Sequence, residues 1–287
     1  LDSSGGAAIG ETVRELSGLW RDAAAEGFAV LTQALGKTNE IANDLGDAGP
    51  LRSQFHEGVN HALDSLRSVA GDRLSQREMV IGEEYARGRE LLEELPCPCV
   101  TVFGSARIKE TNPDYQAITG ITRFLGGEGI GTITGGGPGT MEAANKGAQE
   151  GGGVSVGLNI ELPHEQQLNP YVDAGKSMEF RYFEPRIDTL IRGGKEGIIV
   201  APGGFGTWDE LSKAVELVHT GKIEPVPIIL YNKEFWEGQV NWFREQLLPR
   251  GMIKEEALDI MRIVDDPHEV CQIVVDHHRS RADKTTG

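Results

Sequence analysis

Cysteine is scarce in this chain, and its placement makes no disulfide framework. Three occur in 287 residues, Cys97 and Cys99 across Pro98 and Cys271 far downstream. That usage fits a reducing compartment. Cys97-Pro98-Cys99 is half of a metal-binding spacing, but no second pair follows, so both read as structural thiols where a buried strand begins. Basic charge is also short, with 28 Lys and Arg against 44 Asp and Glu and a net charge of −16. Such a balance argues against nucleic acid and against an anionic membrane as partners. An anionic substrate would need local N–H groups and a few arginines to overcome the global field. No apolar run approaches the roughly 18 residues of a membrane span. The N-terminus shows no charged-then-apolar leader, so a soluble, cytoplasmic protein is expected. His219, His277 and His278 fall in no His/Asp/Glu cluster with metal spacing, and no metal is expected.

Glycine, in contrast, is plentiful at 38 residues, against a typical share of roughly 7%. The glycines cluster in particular turns. Ala201-Pro-Gly-Gly-Phe-Gly-Thr-Trp-Asp-Glu210 follows a five-residue apolar run from Gly197 and precedes a helical pattern. Leu211, Ala214, Val215 and Val218 supply the apolar face of that helix. A strand that turns through glycines into a helix aims unpaired N–H groups and the positive end of the helix dipole at one spot, a ready phosphate site. Thr207 has the position and hydroxyl to cap the helix, and Glu210 either closes a Thr-x-x-Glu capping box or projects a carboxylate into the bound ligand.

Residues 1–10 read as a flexible lead and 11–95 as helices alone, with apolar stripes through Trp20, through Phe55 and from 75 to 95. This helical extension is expected to cover the main domain or a partner subunit. Pro96 and Pro98 mark a boundary, after which strands and helices alternate over 96–280 before a loose tail at 281–287. That rhythm predicts an α/β fold with a parallel, Rossmann-like sheet flanked by helices. Expected strands lie at 99–103, 130–134, 154–158, 178–180, 197–201, 226–230 and 260–264.

Ligands of open α/β sheets sit outside the carboxyl ends of the strands. Three such ends carry Gly104-Ser-Ala-Arg107, Gly135-Gly-Gly-Pro-Gly-Thr140 and Pro202-Gly-Gly-Phe-Gly-Thr207. Two glycine-rich turns on one sheet point to a nucleotide-like ligand. Neither ends as a Walker loop, and no acidic residue stands where a dinucleotide ribose needs one, so a nicotinamide cofactor is not supported.

Gly135 to Asn145, Tyr182-Phe-Glu-Pro-Arg186 and Pro202 to Glu210, in that order, resemble the Lonely Guy family over about residues 97–275. These phosphoribohydrolases release a base from a nucleoside 5′-monophosphate, and many have been labelled lysine decarboxylase-like. The resemblance implies a Rossmann-like fold, a homodimer or higher assembly of dimers, and hydrolysis of AMP or an N6-modified AMP without a cofactor. It places the essential Arg on Arg186 and the essential Glu on Glu210. Gly203, Gly204, Gly206 and Thr207 match the phosphate loop, and Gly136, Gly137, Gly139 and Met141 the second glycine motif. Ile187 stands where the family often has lysine. Arg107 is a further candidate ligand contact, or else a solvated arginine; the plainer role for Arg186 is an ion pair with Asp188 or Glu184. The alternative function is a nucleotide-sensing or carrier module on the same fold. Lysine decarboxylation would need a pyridoxal Schiff-base lysine, to which nothing in the sequence points.

Overall fold

The computed structural model describes residues 76–162 and 167–285. The expected flexible lead, the stripes through Trp20 and Phe55, and Pro163 and His164 lie outside the described residues. The chain divides into two compact units, Leu1–Val80 and Ile81–Gly287. Of the first, only residues 76–80 are described, the opening of helix α1 (Gln76–Glu93).

The second unit alternates strand and helix as the sequence predicts. In order it carries β1 (Cys99–Phe103), α2 (Pro113–Gly127), β2 (Gly131–Thr134), α3 (Thr140–Glu150), β3 (Ser155–Ile160) and β4 (Ser177–Phe180). Helix α4 (Phe183–Gly193), β5 (Gly197–Val200), α5 (Phe205–His219), β6 (Ile228–Tyr231), α6 (Lys233–Trp242), β7 (Met261–Val264) and α7 (Pro267–Thr285) follow. The helix expected over 234–248 is α6 plus a π-helical turn, Phe243–Leu247. Strand β3 runs two residues further than its apolar run suggests, because Asn159 and Ile160 pair in parallel with Glu179 and Phe180.

All seven strands are parallel, in the order β4-β3-β2-β1-β5-β6-β7. This is an α/β Rossmann-like fold. Parallel strands are buried on both faces, which is why they read as continuous apolar runs. Alternation splits those runs between two cores. Phe103, Ile198, Val200, Ile228 and Leu230 meet Leu190, Ile191, Leu211 and Trp236 on one side. Val100, Val102, Ile199 and Ile229 meet Ile118, Leu125, Ala144 and Val274 on the other. Trp236, expected as a core or interface anchor, is 1% exposed and its Nε1 donates to Val200 O at 3.2 Å. Trp242 stays half-exposed.

The order of strands reverses direction between β1 and β5, so the loops that leave their carboxyl ends diverge. A crevice opens at that switch point. Its floor is tied by backbone bonds: Ser105 N donates to Pro202 O at 3.0 Å, and Thr140 N to Ser105 O at 2.9 Å. Behind it sits a buried amide, Asn145. Its Oδ1 accepts from Thr134 Oγ1 at 2.6 Å and from Asn169 Nδ2 at 2.9 Å. Its Nδ2 donates to Ser155 Oγ at 2.8 Å and Val156 O at 3.2 Å. One side chain thus joins α3 to β2, β3 and the loop before β4.

Removing a fully satisfied buried amide strands its partners without solvent. Asn145→Ala is therefore expected to lose roughly 2–4 kcal/mol of stability, read as a lower urea midpoint at unchanged slope. A loss below about 0.5 kcal/mol would mean that the network contributes nothing.

Candidate active site

The crevice is a cleft of about 360 Å³, within the roughly 300–1,000 Å³ range of small-molecule sites. The turn after β1 supplies Gly104, Ser105, Ala106 and Arg107, and Gly135, directly after β2, lies at its back. Helix α4 brings Phe183 and Arg186, and α5 brings Gly206, Thr207 and Glu210. Met141, Ile160, Leu162 and Phe205 complete apolar walls.

Arg186 lies on the second turn of α4 and is 6% exposed. Burying a guanidinium is costly unless its donors are used. Nε donates to Leu158 O on β3 at 2.7 Å, and Nη1 lies 3.5 Å from Glu210 Oε1. The other flank rests on Gly135, where an added Cβ would overlap Arg186 Nη2 and come within 2.7 Å of Met141 Sδ. Only glycine fits there. Asp188 pairs instead with Arg192 at 2.7 Å, and the carboxylate that Arg186 faces is Glu210.

Glu210 is also largely buried, with 14% of its side chain exposed. Burial pushes its carboxyl up from 4.5 to about 7; the Arg186 cation opposes that shift and Asp209 adds to it. Burial likewise lowers Arg186, with Glu210 opposing. At 3.5 Å the pair is a loose ion pair and not a tight bidentate fork. A buried carboxyl that titrates near neutrality beside a fixed cation is an acid–base group in waiting.

Helix α5 begins at Phe205 with Gly204 as N-cap and no side-chain cap. Thr207 is inside the first turn, so the capping-box role for Thr207 and Glu210 does not occur. The N–H groups of Phe205, Gly206 and Thr207 have no intrahelical acceptors, and all three residues line the cleft, the arrangement of a helix-terminus anion site. Gly203 does not line the cleft; an added Cβ there would overlap Thr207 Oγ1.

Of the second glycine motif, Met141 lines the cleft, whereas Gly136, Gly137 and Gly139 pack behind it. Gly136 O and Gly137 O accept from Asn169 N and Nδ2 at 2.8 and 3.0 Å. Gly139 has φ +71, and a Cβ on it would overlap Ser105 O. Their part is to let three loops close on one another. Arg107 is exposed at the rim. Ile187 points the other way, into the core at 7% exposure, as a helix step of about 100° from Arg186 dictates. Sequence reasoning missed Gly135 as the seat of the guanidinium, Leu158 O as its acceptor, and Phe183, which is 52% exposed at the mouth; only the Gly135 run carried a signal.

A second cavity of about 440 Å³ lies at the opposite edge, between Leu92, Cys97, Cys99 and Lys195. It sits at the amino ends of the strands, away from Arg186 and Glu210. Among the described residues, no three His, Cys, Asp or Glu side chains gather with metal-ligand geometry.

The family model described as "possible lysine decarboxylase" matches residues 141–274, just under half of the chain. No curated protein matches it. Among solved structures, a molybdenum cofactor binding protein from the phototrophic bacterium Rippkaea orientalis is 20% identical, with TM-score 0.46, covering 63% of this chain and 96% of its own. The molybdenum cofactor carrier protein of Chlamydomonas reinhardtii is 17% identical, with TM-score 0.46, covering 63% and 99%. A structural-genomics target is 24% identical, with TM-score 0.48, covering 62% and 99%.

The raised carboxyl has a consequence for stability. The folded state holds the Glu210 proton up to about pH 7, whereas the unfolded chain releases it near 4.5. The stabilisation is full below pH 4.5 and is lost as pH rises to about 7, on the order of 3 kcal/mol in all. Glu210→Gln stays neutral throughout, so its advantage over wild type in urea titrations is expected to grow across that window. Parallel stability curves would contradict the burial argument.

Proposed function

We propose that this cleft hydrolyses the N-glycosidic bond of a nucleoside 5′-monophosphate, AMP or an N6-modified AMP, to free base and ribose 5-phosphate. The observation that carries the reading is the buried Glu210 carboxyl beside Arg186, at the open N-terminus of α5. The phosphate accepts from the first-turn N–H groups of α5 and the Thr207 hydroxyl. The sugar then lies over Glu210, and the base meets the apolar wall of Met141, Leu162, Phe183 and Phe205.

Breaking the C1′–N bond leaves an oxocarbenium-like sugar, which the ionised Glu210 stabilises. The same carboxylate takes a proton from the attacking water as its oxygen bonds to C1′, and that proton passes to the departing base, so Glu210 ends the cycle ionised as it began. Arg186 clamps phosphate or ribose oxygens and fixes the geometry. The motif order resembling the Lonely Guy family supports this assignment, and with it a homodimer or an assembly of dimers. Lysine decarboxylation has no support at this site, since no lysine is among the described residues that line the cleft. A carrier or sensor of phosphorylated ligands is the second reading. The glycine turns and the uncapped first turn of α5 would serve such a ligand without using the Glu210 carboxylate.

Incubation with a panel of nucleoside monophosphates is expected to release base and ribose 5-phosphate, with kcat/KM rising through about pH 7 as Glu210 ionises. Glu210→Ala should cost roughly 10²–10⁴-fold in rate while the fold survives. Tight binding without release from any nucleotide would sink the hydrolase and leave the carrier.

A further inference from the structure

The turn that launches the Arg186 helix is only two residues long, Arg181 and Tyr182 between β4 and α4. Neither amide is satisfied within its own element: the Tyr182 side chain makes no cap, and its φ of −118° and ψ of 141° are extended. Both amides donate to one carboxylate on a different helix. Arg181 N lies 2.7 Å from Glu84 Oε1 and Tyr182 N 3.3 Å from Glu84 Oε2. Glu84 is 4% exposed, an unusual state for a carboxylate. Charge-assisted bonds from two amides, together with the positive end of α4 nearby, offset its desolvation.

From Glu84 onward, α1 follows α4 in the same direction. Gly88 sits against Thr189, where an added Cβ would come 2.5 Å from Thr189 Oγ1, and Leu92 sits against Gly193. The Thr189 hydroxyl is in turn held by Pro185 O at 2.7 Å. The carboxylate therefore sets where α4 starts, and the Gly88 and Leu92 contacts set its roll. Arg186 stands four residues after Tyr182, one turn from the anchored amides.

We propose that Glu84, in the helical extension before the sheet domain, is a positioning residue that holds Arg186 at its distance from Glu210 by anchoring the entry of α4. The proposal rests on the reading of Arg186 and Glu210 as the site's working pair. Its physical content is narrow. Losing one of the two bonds frees the turn, α4 shifts, and the guanidinium moves off the Glu210 carboxylate. The charges that chiefly shift Glu210 are Arg186 and Asp209, whereas Glu84 bonds the amides at the entry of the helix that carries Arg186. A change at Glu210 on altering Glu84 is then expected through the position of Arg186.

The test is carbon-detected NMR titration of Glu210 in the full chain labelled at glutamate carboxyls, its signal identified by its loss in Glu210→Gln. Glu84→Gln keeps the shape but presents an NH2 group to one of the two amides. Without the lowering field of Arg186, the midpoint of Glu210 is expected to rise from about 7 by half a unit or more. Glu90→Gln, exposed on the same helix, is expected to leave it unchanged. If Glu84→Gln folds poorly, Glu84→Asp keeps the charge but is too short to reach both amides, and the same rise is expected. An unmoved Glu210 midpoint in a folded Glu84 variant, even with lowered Tm, would overturn the proposal and leave Glu84 a stability residue. In the nucleotide assay, Glu84→Gln should lose roughly ten- to a hundredfold in kcat with little change in KM. Wild type inactive on every nucleotide would instead defeat the hydrolase reading, and the NMR result would still decide the role of Glu84.

Discussion

The burial of one guanidinium constrains the architecture of this site. Arg186 is held inside the protein by a strand carbonyl, a single carboxylate and a glycine that leaves space for it. A buried cation with so few partners tolerates little displacement, because any donor that loses its acceptor retains its desolvation cost. Leu158 O belongs to a strand locked on both sides by parallel pairing. Gly135 directly follows the neighbouring strand, and Glu210 rides on a helix that starts at the switch point. The sheet thus serves as a rigid jig for one ion pair.

The same burial resolves the conflict between global charge and proposed substrate. A chain with net charge −16 repels phosphate at long range, but solvent screens that field within about 10 Å at 0.1 M salt. Inside the cleft the local donors dominate: the first-turn amides of α5, the Arg186 fork and the rim Arg107. Half-ionised Glu210 adds less repulsion near neutral pH than an ordinary carboxylate would.

Much of the fold was legible because its signals are local. Apolar runs bounded by glycine, and periodic helix faces between them, depend on neighbours in sequence, so the seven strands and their helices fell close to where expected. The exception is the last helix, which runs on to Thr285 through most of the tail expected to be loose, with Arg281 bonded to Lys195 O and Glu196. The capping box at Thr207 and Glu210 failed because the helix starts two residues earlier, at Phe205, which places both side chains in the cleft. What remained hidden depends on pairing across the fold. Nothing near Leu158 marks its carbonyl as an acceptor for Arg186. Nothing near Glu84 marks it as the anchor of a turn almost a hundred residues away, and its helix read as featureless cover. Gly136, Gly137 and Gly139 looked like ligand contacts, since a glycine that admits a ligand and one that admits another loop look alike in sequence.

The central claim is that a nucleotide lies with its phosphate on α5 and its C1′ over residue 210. A crystal structure of Glu210→Gln soaked with AMP tests it most directly. The phosphate is expected at the amides of Gly206 and Thr207, Arg186 on phosphate or ribose oxygens, and the residue 210 side chain within about 3–3.5 Å of the sugar or its water. A nucleotide bound elsewhere, or held here with its sugar turned away from residue 210, would contradict it.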